Sequence, residues 1–550
     1  MNSNQHLKVI AVAAGVCAHQ GLFKHGDWHL HGPHIIVSHL VLGLLLLCYV
    51  AAREPGNGAG SFGSVLCTTA LTTAAYLGGL FSSMTIYRLF FHKISSFKGP
   101  TLAAITKFWH VWHIRYSTNF RFQEKIYEKY GPVVRTGPNE ITIFHPAAFE
   151  LLDGYGNDTS KDIWYDIIAP QKSAIFTRDK QEHKEGRKVW AQSLSTKAMN
   201  DYHPRIARLA QALAHCIETF DGAPVDLDTV MSWFSFDVMG EVLFGDDFKL
   251  LESKVTHPAI KHRDRALAVA GPLGDAIWIA IMGFKLVPWY GRIKDWHRMV
   301  KFCEDHMIAR LKQGERDGKL DMAGFFIDEH KRAAGVKSQK DRDLYLAGTA
   351  VTAVVAGSDT TRAALIGTWW YLCTYPEHAK KIQAEIEGVD VNDANALAVL
   401  PHLDGVVHEA LRLVPPAMTG GSRITGPNGL MVDDVLIPPY TKVTAPKWVI
   451  HRMESSFVQP NDFIPERWYS RPELIVDKRG YAPFSYGARY CLGKSMAYVE
   501  LRLTTAIILK NYDVSFAPGY DPQTMWRDMR DQVTCQPGQV LCVFKPRQRT

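Results

Sequence analysis

One cysteine stands in surroundings that suit a reactive thiolate or a metal ligand. Cys491 lies in a loop with glycines on both sides, and an apolar helical pattern begins directly behind it at Lys494. The positive end of that helix, its free backbone N–H groups and the cation of Arg489 can each stabilise a negative sulfur. The sequence therefore predicts a thiolate site at Cys491.

The remaining cysteines have no comparable surroundings. The sequence contains no Cys-x-x-Cys pair, and nine widely scattered cysteines fit neither a disulfide framework nor a zinc cluster. We expect mostly unpaired thiols in a reducing compartment. The eight other positions are Cys17, Cys48, Cys67, Cys216, Cys303, Cys373, Cys535 and Cys542.

An acid and a hydroxyl stand side by side in a second segment, which reads Ala-Gly-Ser-Asp-Thr-Thr from Ala356 to Thr361. Alanine and glycine here are expected to interrupt a long helix and to leave an open face for a flat cofactor and a small ligand. Asp359 and Thr360 beside that opening suit proton delivery. The alternative is an ordinary helix with a Gly-Ser weak point.

The Cys491 loop resembles the haem-thiolate signature F-x-x-G-x-R-x-C-x-G of the cytochrome P450 family. A buried cysteine before a helix would explain Cys491 alone, but not Phe484, Gly487, Arg489 and Gly493 together with it. The resemblance implies a haem b (iron protoporphyrin IX) with Cys491 as axial ligand. It also implies that Phe484 shields the sulfur, that Arg489 pairs with a haem propionate, and that the glycines let the backbone pass close beneath the porphyrin.

The Asp359-Thr360 segment resembles the oxygen-activation motif of the same family. It lies about 130 residues before Cys491, as the family spacing requires. By this resemblance Thr360 matches the position that orients oxygen, and Asp359 matches the position that relays protons.

Two further passages match the family more weakly. Glu409 and Arg412 stand three residues apart on one helical face, a spacing that by itself usually marks a solvated ion pair. The passage Phe-Ile-Pro-Glu-Arg-Trp resembles the loop whose arginine, here Arg467, completes a buried Glu-Arg-Arg cluster. The resemblance implies a structural role for these three residues.

Three other basic residues match positions that contact the haem propionates. His183 and Arg187 are four residues apart and can point the same way, with His183 where the family commonly has tryptophan. A charged surface helix is the alternative for this pair. Arg423 matches the third such position.

These residues require a mostly helical chain to position them. We expect a mainly α fold with small β-sheets, and the resemblance implies the cytochrome P450 fold over residues 96–550. Short strands are predicted within 130–145, 430–446 and 530–545. Helices are predicted over 180–195, 204–219, 227–243, 296–314, 341–373, 377–387, 402–413 and 493–511.

Residues 1–95 form a separate, apolar extension. Uncharged runs near 35–52 and 62–87 predict transmembrane helices, whereas Val9–Ala18 is too short to span alone. A buried helix hairpin in a soluble protein is the alternative. Basic residues from Arg88 to Lys98 follow the second run, so the positive-inside rule places the large domain on the cytosolic side of a membrane, expected to be the endoplasmic reticulum.

Composition and motifs together limit the partners. The chain has 550 residues with 62 basic and 55 acidic side chains, an excess too small and too dispersed to indicate nucleic-acid binding. It carries no dinucleotide-binding or flavin fingerprint, so electrons must come from another protein. The resemblance implies an NADPH-dependent, flavin-containing cytochrome P450 reductase, membrane lipid and a hydrophobic small-molecule substrate.

The expected activity is that of a membrane-bound monooxygenase, and the N-terminal junction looks most like fungal enzymes of secondary metabolism. One alternative is a haem-thiolate isomerase or peroxide-using enzyme that needs no reductase, but the Asp359-Thr360 pair argues against it. A non-catalytic haem-binding sensor is the other alternative. Expected pocket walls are the helix near Val354, the loops at 160–178, the segment 417–421 and the hairpin at 533–536.

Overall fold

Three long apolar helices come first in the computed structural model, which describes residues 3–53, 59–314 and 319–547. They are α1 (Ser3–Ala18), α2 (Gly32–Arg53) and α3 (Ala59–Ile86). Each belongs to a stretch long and apolar enough to cross a membrane, over Asn4–Phe23, His29–Arg53 and Phe62–Phe91. The sequence predicted two such stretches and gave Val9–Ala18 as too short to span alone. The helix there is longer than its apolar centre, because it extends from polar Ser3 through a π-helical turn that ends at Phe23.

Close backbone contact joins α1 to α3. A Cβ atom added to Gly15 would lie 2.2 Å from the carbonyl oxygen of Tyr76, and one added to Gly79 would lie 2.3 Å from that of Val12. Small residues at helix crossings permit this approach in a membrane. The first helix is therefore packed against the third.

Helices also make up most of the remaining chain. In order they are α4 (Thr101–Ile105), α5 (Phe108–His113), α6 (Asn119–Tyr130), α7 (Ala148–Asp153), α8 (Lys180–Ser193), α9 (Thr196–Glu218), α10 (Leu227–Met239), α11 (Leu250–Ser253), α12 (Pro258–Leu273), α13 (Ile277–Leu286), α14 (Gly291–Gln313), α15 (Met322–Arg332), α16 (Gln339–Thr374), α17 (Pro376–Glu385), α18 (Ala394–Leu397), α19 (Pro401–Leu413), α20 (Lys447–Ile450), α21 (Lys494–Asn511) and α22 (Gln523–Arg527).

The predicted helices all occur, but several others were missed. Helix α9 begins eight residues before its predicted start because the Ser195 hydroxyl accepts a hydrogen bond from the N–H of Ala198 and caps it. Helices α12 and α13 were not predicted, because glycine and proline break the sequence pattern where one ends and the other begins. Gly271 and Pro272 lie near the end of α12, and Gly274 follows it directly.

The long helix α16, with 36 residues, runs through the middle of the core. It continues as α-helix from Ala356 to Thr361, so the predicted interruption is wrong. A Cβ on Gly357 would lie 2.2 Å from the sulfur of Met239 on α10. The glycine therefore admits a neighbouring helix while the backbone stays helical.

Short strands border the helical core in small sheets. The largest has the order β1-β2-β8-β5-β3, in which β2 and β8 are parallel and Arg423 of β5 pairs with Lys161 of β3. Strands β10 and β11 form a separate hairpin. The strands are β1 (Val133–Gly137), β2 (Glu140–Ile143), β3 (Ser160–Lys161), β4 (Val225–Asp226), β5 (Arg423–Ile424), β6 (Leu430–Val432), β7 (Val435–Ile437), β8 (Lys442–Thr444), β9 (Tyr512–Phe516), β10 (Arg530–Gln532), β11 (Thr534–Gln536) and β12 (Leu541–Pro546).

Candidate functional site

The loop before α21 holds Cys491 at the helix N-terminus. The Cys491 N–H donates to the carbonyl of Phe484 at 2.7 Å, which closes the loop on itself. Burial raises the pKa of the thiol, while backbone N–H groups of Gly493 and Lys494 and the charges of Arg187 and Lys447 act in the opposite direction. The sulfur nevertheless has an exposed surface. Protein thus surrounds the thiol at a distance but leaves room directly at the sulfur.

The phenyl ring of Phe484 packs at a tilt against Tyr498, with ring centroids 5.1 Å apart and an interplanar angle of 50°. Gly487 has a positive φ of 53°, and a Cβ there would lie only 1.9 Å from the carbonyl oxygen of Asp153. Glycine is therefore required at position 487 because the backbone of Asp153 lies too close for any side chain. At Gly493 an added Cβ would meet only the sulfur of Cys491, at 3.8 Å.

One stripe of α16 remains accessible although the middle of the helix, from Leu346 to Leu372, is otherwise mostly buried. Ala356 is exposed and Thr360 is half-buried, whereas Val354, Ser358 and Asp359 are buried. The Thr360 hydroxyl donates to the carbonyl of Ala356 at 2.6 Å, one turn earlier on the same stripe. This stripe is the open face that the sequence predicted, formed by Ala356 and Thr360.

Asp359 lies on the buried side of α16, next to charged and polar groups. Its Oδ1 accepts from Arg362 at 2.8 Å and lies 3.4 Å from Arg263 of α12. Its Oδ2 accepts from Gln536 at 2.8 Å and from the hydroxyl of Thr534. Burial raises its pKa, but the two arginine charges outweigh burial and lower the pKa below its usual value. Asp359 is an ionised anchor for three segments.

Two arginines share one carboxylate beside the cysteine loop. Arg423 donates to both oxygens of Asp153, at 2.6 and 2.9 Å, and to the hydroxyl of Tyr165 at 2.6 Å. Arg489 lies 3.2 Å from the same carboxylate and donates to Thr159. The structure therefore brings together Arg423 and Arg489, two positions that the family resemblance assigned to the haem propionates.

Further basic groups lie close to this pair. Arg187 donates to the carbonyl of Tyr490 at 2.8 Å, directly beside the cysteine. Burial, together with the charges of Lys161, Arg187, Arg489 and Arg423, lowers the pKa of His183 to about 3. Burial and the Arg423 and Arg489 charges likewise lower the pKa of Lys161 to about 6. The cluster of Lys161, His183, Arg187, Arg423 and Arg489 is called the basic cluster below.

These features fit a haem. A neutral lysine and histidine among arginines mark a region of strong positive potential, which two propionate groups would balance. An accessible cysteine sulfur at a helix N-terminus supplies the ligand type that haem-thiolate proteins use. The basic cluster and the space at the Cys491 sulfur thus both fit a bound haem.

Glu409, Arg412 and Arg467 form a completely buried network. Arg412 donates to both carboxylate oxygens of Glu409 at 2.8 Å, and Arg467 donates to one of them at 3.0 Å. Trp468 and the backbone N–H of Ile464 complete the carboxylate's contacts. Burial opposes ionisation of Glu409, but the two arginines hold its pKa below the usual value.

Sequence reasoning missed Asp153, Lys161 and Tyr165. They come from α7, β3 and the 3-10 helix Ile163–Ile168, and they meet Arg423 some 260 residues along the chain. None lies in a recognisable motif. The only available signal was the position of Lys161 and Tyr165 in the 160–178 region that the sequence assigned to the pocket wall, and Asp153 lies outside that region.

Comparisons with known proteins agree with this interpretation of the site. A family model described as Cytochrome P450 matches residues 99–543. The chain is similar to tryprostatin B 6-hydroxylase of Neosartorya fischeri, with 31% identity over 94% of both chains. It is also similar to cytochrome P450 monooxygenase notG' of Aspergillus versicolor, with 30% identity over 96% of this chain and 95% of the relative. A third relative, cytochrome P450 monooxygenase phqL of Penicillium fellutanum, is 29% identical over 96% of this chain and 93% of its own length.

Proposed function

Because the chain belongs to the cytochrome P450 family, we propose that it is a membrane-anchored monooxygenase that inserts one oxygen atom from O2 into an apolar small molecule. The observation that carries this proposal is the accessible sulfur of Cys491 beside the basic cluster. The relatives are named as monooxygenases or as a hydroxylase. A role in fungal secondary metabolism agrees with those names.

In this proposal the sulfur of Cys491 would hold the iron of haem b. Arg187, Arg423 and Arg489 would bind the propionates, assisted by His183 and Lys161, and Phe484 would shield the sulfur. When bound, a thiolate-ligated haem supplies the activation of O2. The N–H groups of Gly493 and Lys494 stabilise the thiolate, since they point at its sulfur.

In this proposal Thr360 and Asp359 deliver protons from α16. The Thr360 hydroxyl donates to the Ala356 carbonyl, and rotation about its side-chain bond would turn it toward the open side of the accessible stripe. Ionised Asp359 is paired with Arg263 and Arg362. To pass a proton, Asp359 would have to leave one of these partners.

Residues 1–95 anchor the enzyme, and residues 96–550 form the catalytic domain. Three spans place the catalytic domain on the side where Arg88, Lys93 and Lys98 lie, which is the cytosolic face of the endoplasmic reticulum by the positive-inside rule. An NADPH-dependent, flavin-containing reductase on the same face supplies electrons. Exposed Lys494 beside the Cys491 loop can contribute to its docking.

The test uses membranes that contain the wild type, Cys491→Ala or the control Cys48→Ala, whose thiol lies in α2. Reduced wild type and control are expected to give the carbon monoxide band of thiolate-ligated haem, and Cys491→Ala is expected to lose it. The same band in Cys491→Ala would refute the ligand. Product formation that needs neither NADPH nor reductase would refute the monooxygenase reaction.

A further inference from the structure

The loop that connects α1 to α2, residues 24–31, contacts the catalytic domain through a buried histidine. His29 is only 7% exposed, and its Nε2 lies 2.7 Å from Oδ2 of Asp166. Asp166 belongs to the 3-10 helix Ile163–Ile168, called the lid helix below. The N-terminal extension thus makes a direct contact with the catalytic domain.

A second ionic contact reinforces the first. Arg178 donates to Oδ2 of Asp166 at 3.1 Å and to Asp27 at 2.8 Å. Arg178 therefore bridges the loop and the lid helix, and the shared carboxylate receives both His29 and Arg178. Such a network fixes a surface segment better than an isolated exposed pair does.

Apolar packing continues the contact. Leu30 packs against a buried cluster that is separate from the main core and draws on the lid helix, α12 and α13. The members of this cluster are Ile167, Ile168, Ala270, Ile277 and Ile281, and Val533 between β10 and β11 also touches it.

Three of the elements around this cluster also contact residues of the candidate site. The lid helix does so through Tyr165, whose hydroxyl accepts from Arg423. Helix α12 does so through Arg263, which donates to the hydroxyl of Ser358 at 2.8 Å. The β10-β11 hairpin does so through Thr534, which donates to Asp359. The cluster is therefore tied to the basic cluster and to the buried side of α16, next in sequence to Thr360 of the accessible stripe.

We propose that the loop at 24–31 forms part of the substrate entrance and controls which apolar molecules pass the lid helix. His29 and Arg178 hold the lid helix, and Leu30 supplies apolar wall next to Ile167. The span count agrees, because two spans, α2 and α3, lie between this loop and the catalytic domain and return the chain to the same membrane side. This inference rests on the proposed monooxygenase function, because it assigns the entrance of that same site.

The test compares the holoenzyme in lipid nanodiscs as wild type, His29→Ala, Asp166→Asn and the double variant. His31→Ala is the matched control, because His31 is an exposed histidine of the same loop. The probes are clotrimazole, which is bulky and apolar, and imidazole, which is small; both report binding by a shift of the haem absorption. Hydrogen exchange over residues 163–176 provides a readout independent of haem.

We expect His29→Ala and Asp166→Asn to raise the association rate of clotrimazole several-fold and to leave that of imidazole unchanged. Exchange over 163–176 should accelerate in both variants. The double variant should behave like Asp166→Asn, because that substitution already removes the contact that His29→Ala removes. His31→Ala should match the wild type.

Unchanged clotrimazole binding and unchanged exchange in His29→Ala, with an intact carbon monoxide band, would overturn the entrance role alone. A wild type without that band would instead refute the proposed function. Should His29→Ala fail to retain haem, Asp27→Asn removes only the Arg178 bridge at the exposed end. It is expected to accelerate exchange over 163–176 to a smaller extent, and no acceleration would count against the proposal.

Discussion

Asp153 and Arg423 form a buried bidentate ion pair, with N–O distances of 2.6 and 2.9 Å, although 270 residues separate them in sequence. The same carboxylate receives Arg489, two residues before Cys491. Asp153 therefore orients two cations of the basic cluster and leaves their remaining N–H groups for an anionic partner.

Substitution of Asp153 should lower haem retention. Asp153→Asn keeps the shape but removes the charge that aligns Arg423 and Arg489, so a several-fold lower haem-to-protein ratio is expected after purification. The ratio is measured from haem absorbance and protein content. Asp158→Asn, in an exposed pair with Lys180, is the control. Equal haem content in Asp153→Asn and the control would contradict the positioning role.

The basic cluster should make the stability of the haem-free protein depend on pH. Burial and neighbouring cations lower the pKa of Lys161 from 10.5 to about 6. Between these values the unfolded chain binds more protons than the folded one, so stability rises with pH across this window. The slope for one group is at most about 1.4 kcal/mol per pH unit.

Thermal unfolding from pH 6 to 10.5 measures this dependence on the haem-free wild type and Lys161→Met. Lys161→Met should flatten the rise. Bound haem should flatten it as well, because propionates favour the charged lysine. Identical pH profiles for the haem-free wild type and Lys161→Met would show that Lys161 retains its ordinary pKa.

Loss of the Thr360 hydroxyl should uncouple electron consumption from substrate oxidation. Thr360→Ala removes the donor on the accessible stripe, so reconstituted enzyme should release several-fold more hydrogen peroxide per NADPH consumed. Thr374→Ala is the matched control, because its hydroxyl makes the same bond to a carbonyl one turn earlier on α16, at 2.8 Å. An unchanged peroxide ratio in Thr360→Ala would exclude this role.

Glu409 should be essential for folding. Glu409→Ala leaves Arg412 and Arg467 buried without their shared carboxylate, which is expected to cost about 3–5 kcal/mol of unfolding free energy. Chemical denaturation or the yield of haem-containing protein measures the effect. Glu473→Ala breaks an exposed pair with Arg471 and should cost less than about 1 kcal/mol. Similar losses in both variants would argue against the buried network.

Helix positions and the family motifs could be predicted because they depend on local sequence. The loop at Cys491 before a helix and the helical stretch of α16 lie within short windows, and the structure has both, although α16 is not interrupted at Ala356–Thr361. The direction of Asp359 could not be predicted. Its side depends on Arg263 of α12 and Thr534 of β11, which approach from distant parts of the chain.

The same reason explains the missed contact of His29. Its sequence neighbours are histidines and a tryptophan before an apolar span, and nothing local specifies Asp166 as its partner. The span formed by α1 was not predicted to cross a membrane alone, because an apolar centre of ten residues does not reveal how far the helix continues.

The close approach of Gly15 to Tyr76 also bears on how this enzyme can be divided. Helix α1 packs against α3, and the loop that follows it contacts the lid helix through His29. Under the proposed entrance role, exchange of residues 1–95 for a single-span anchor from another protein should therefore alter which substrates the enzyme accepts. The proposed membrane anchor and the proposed entrance could then be replaced only together.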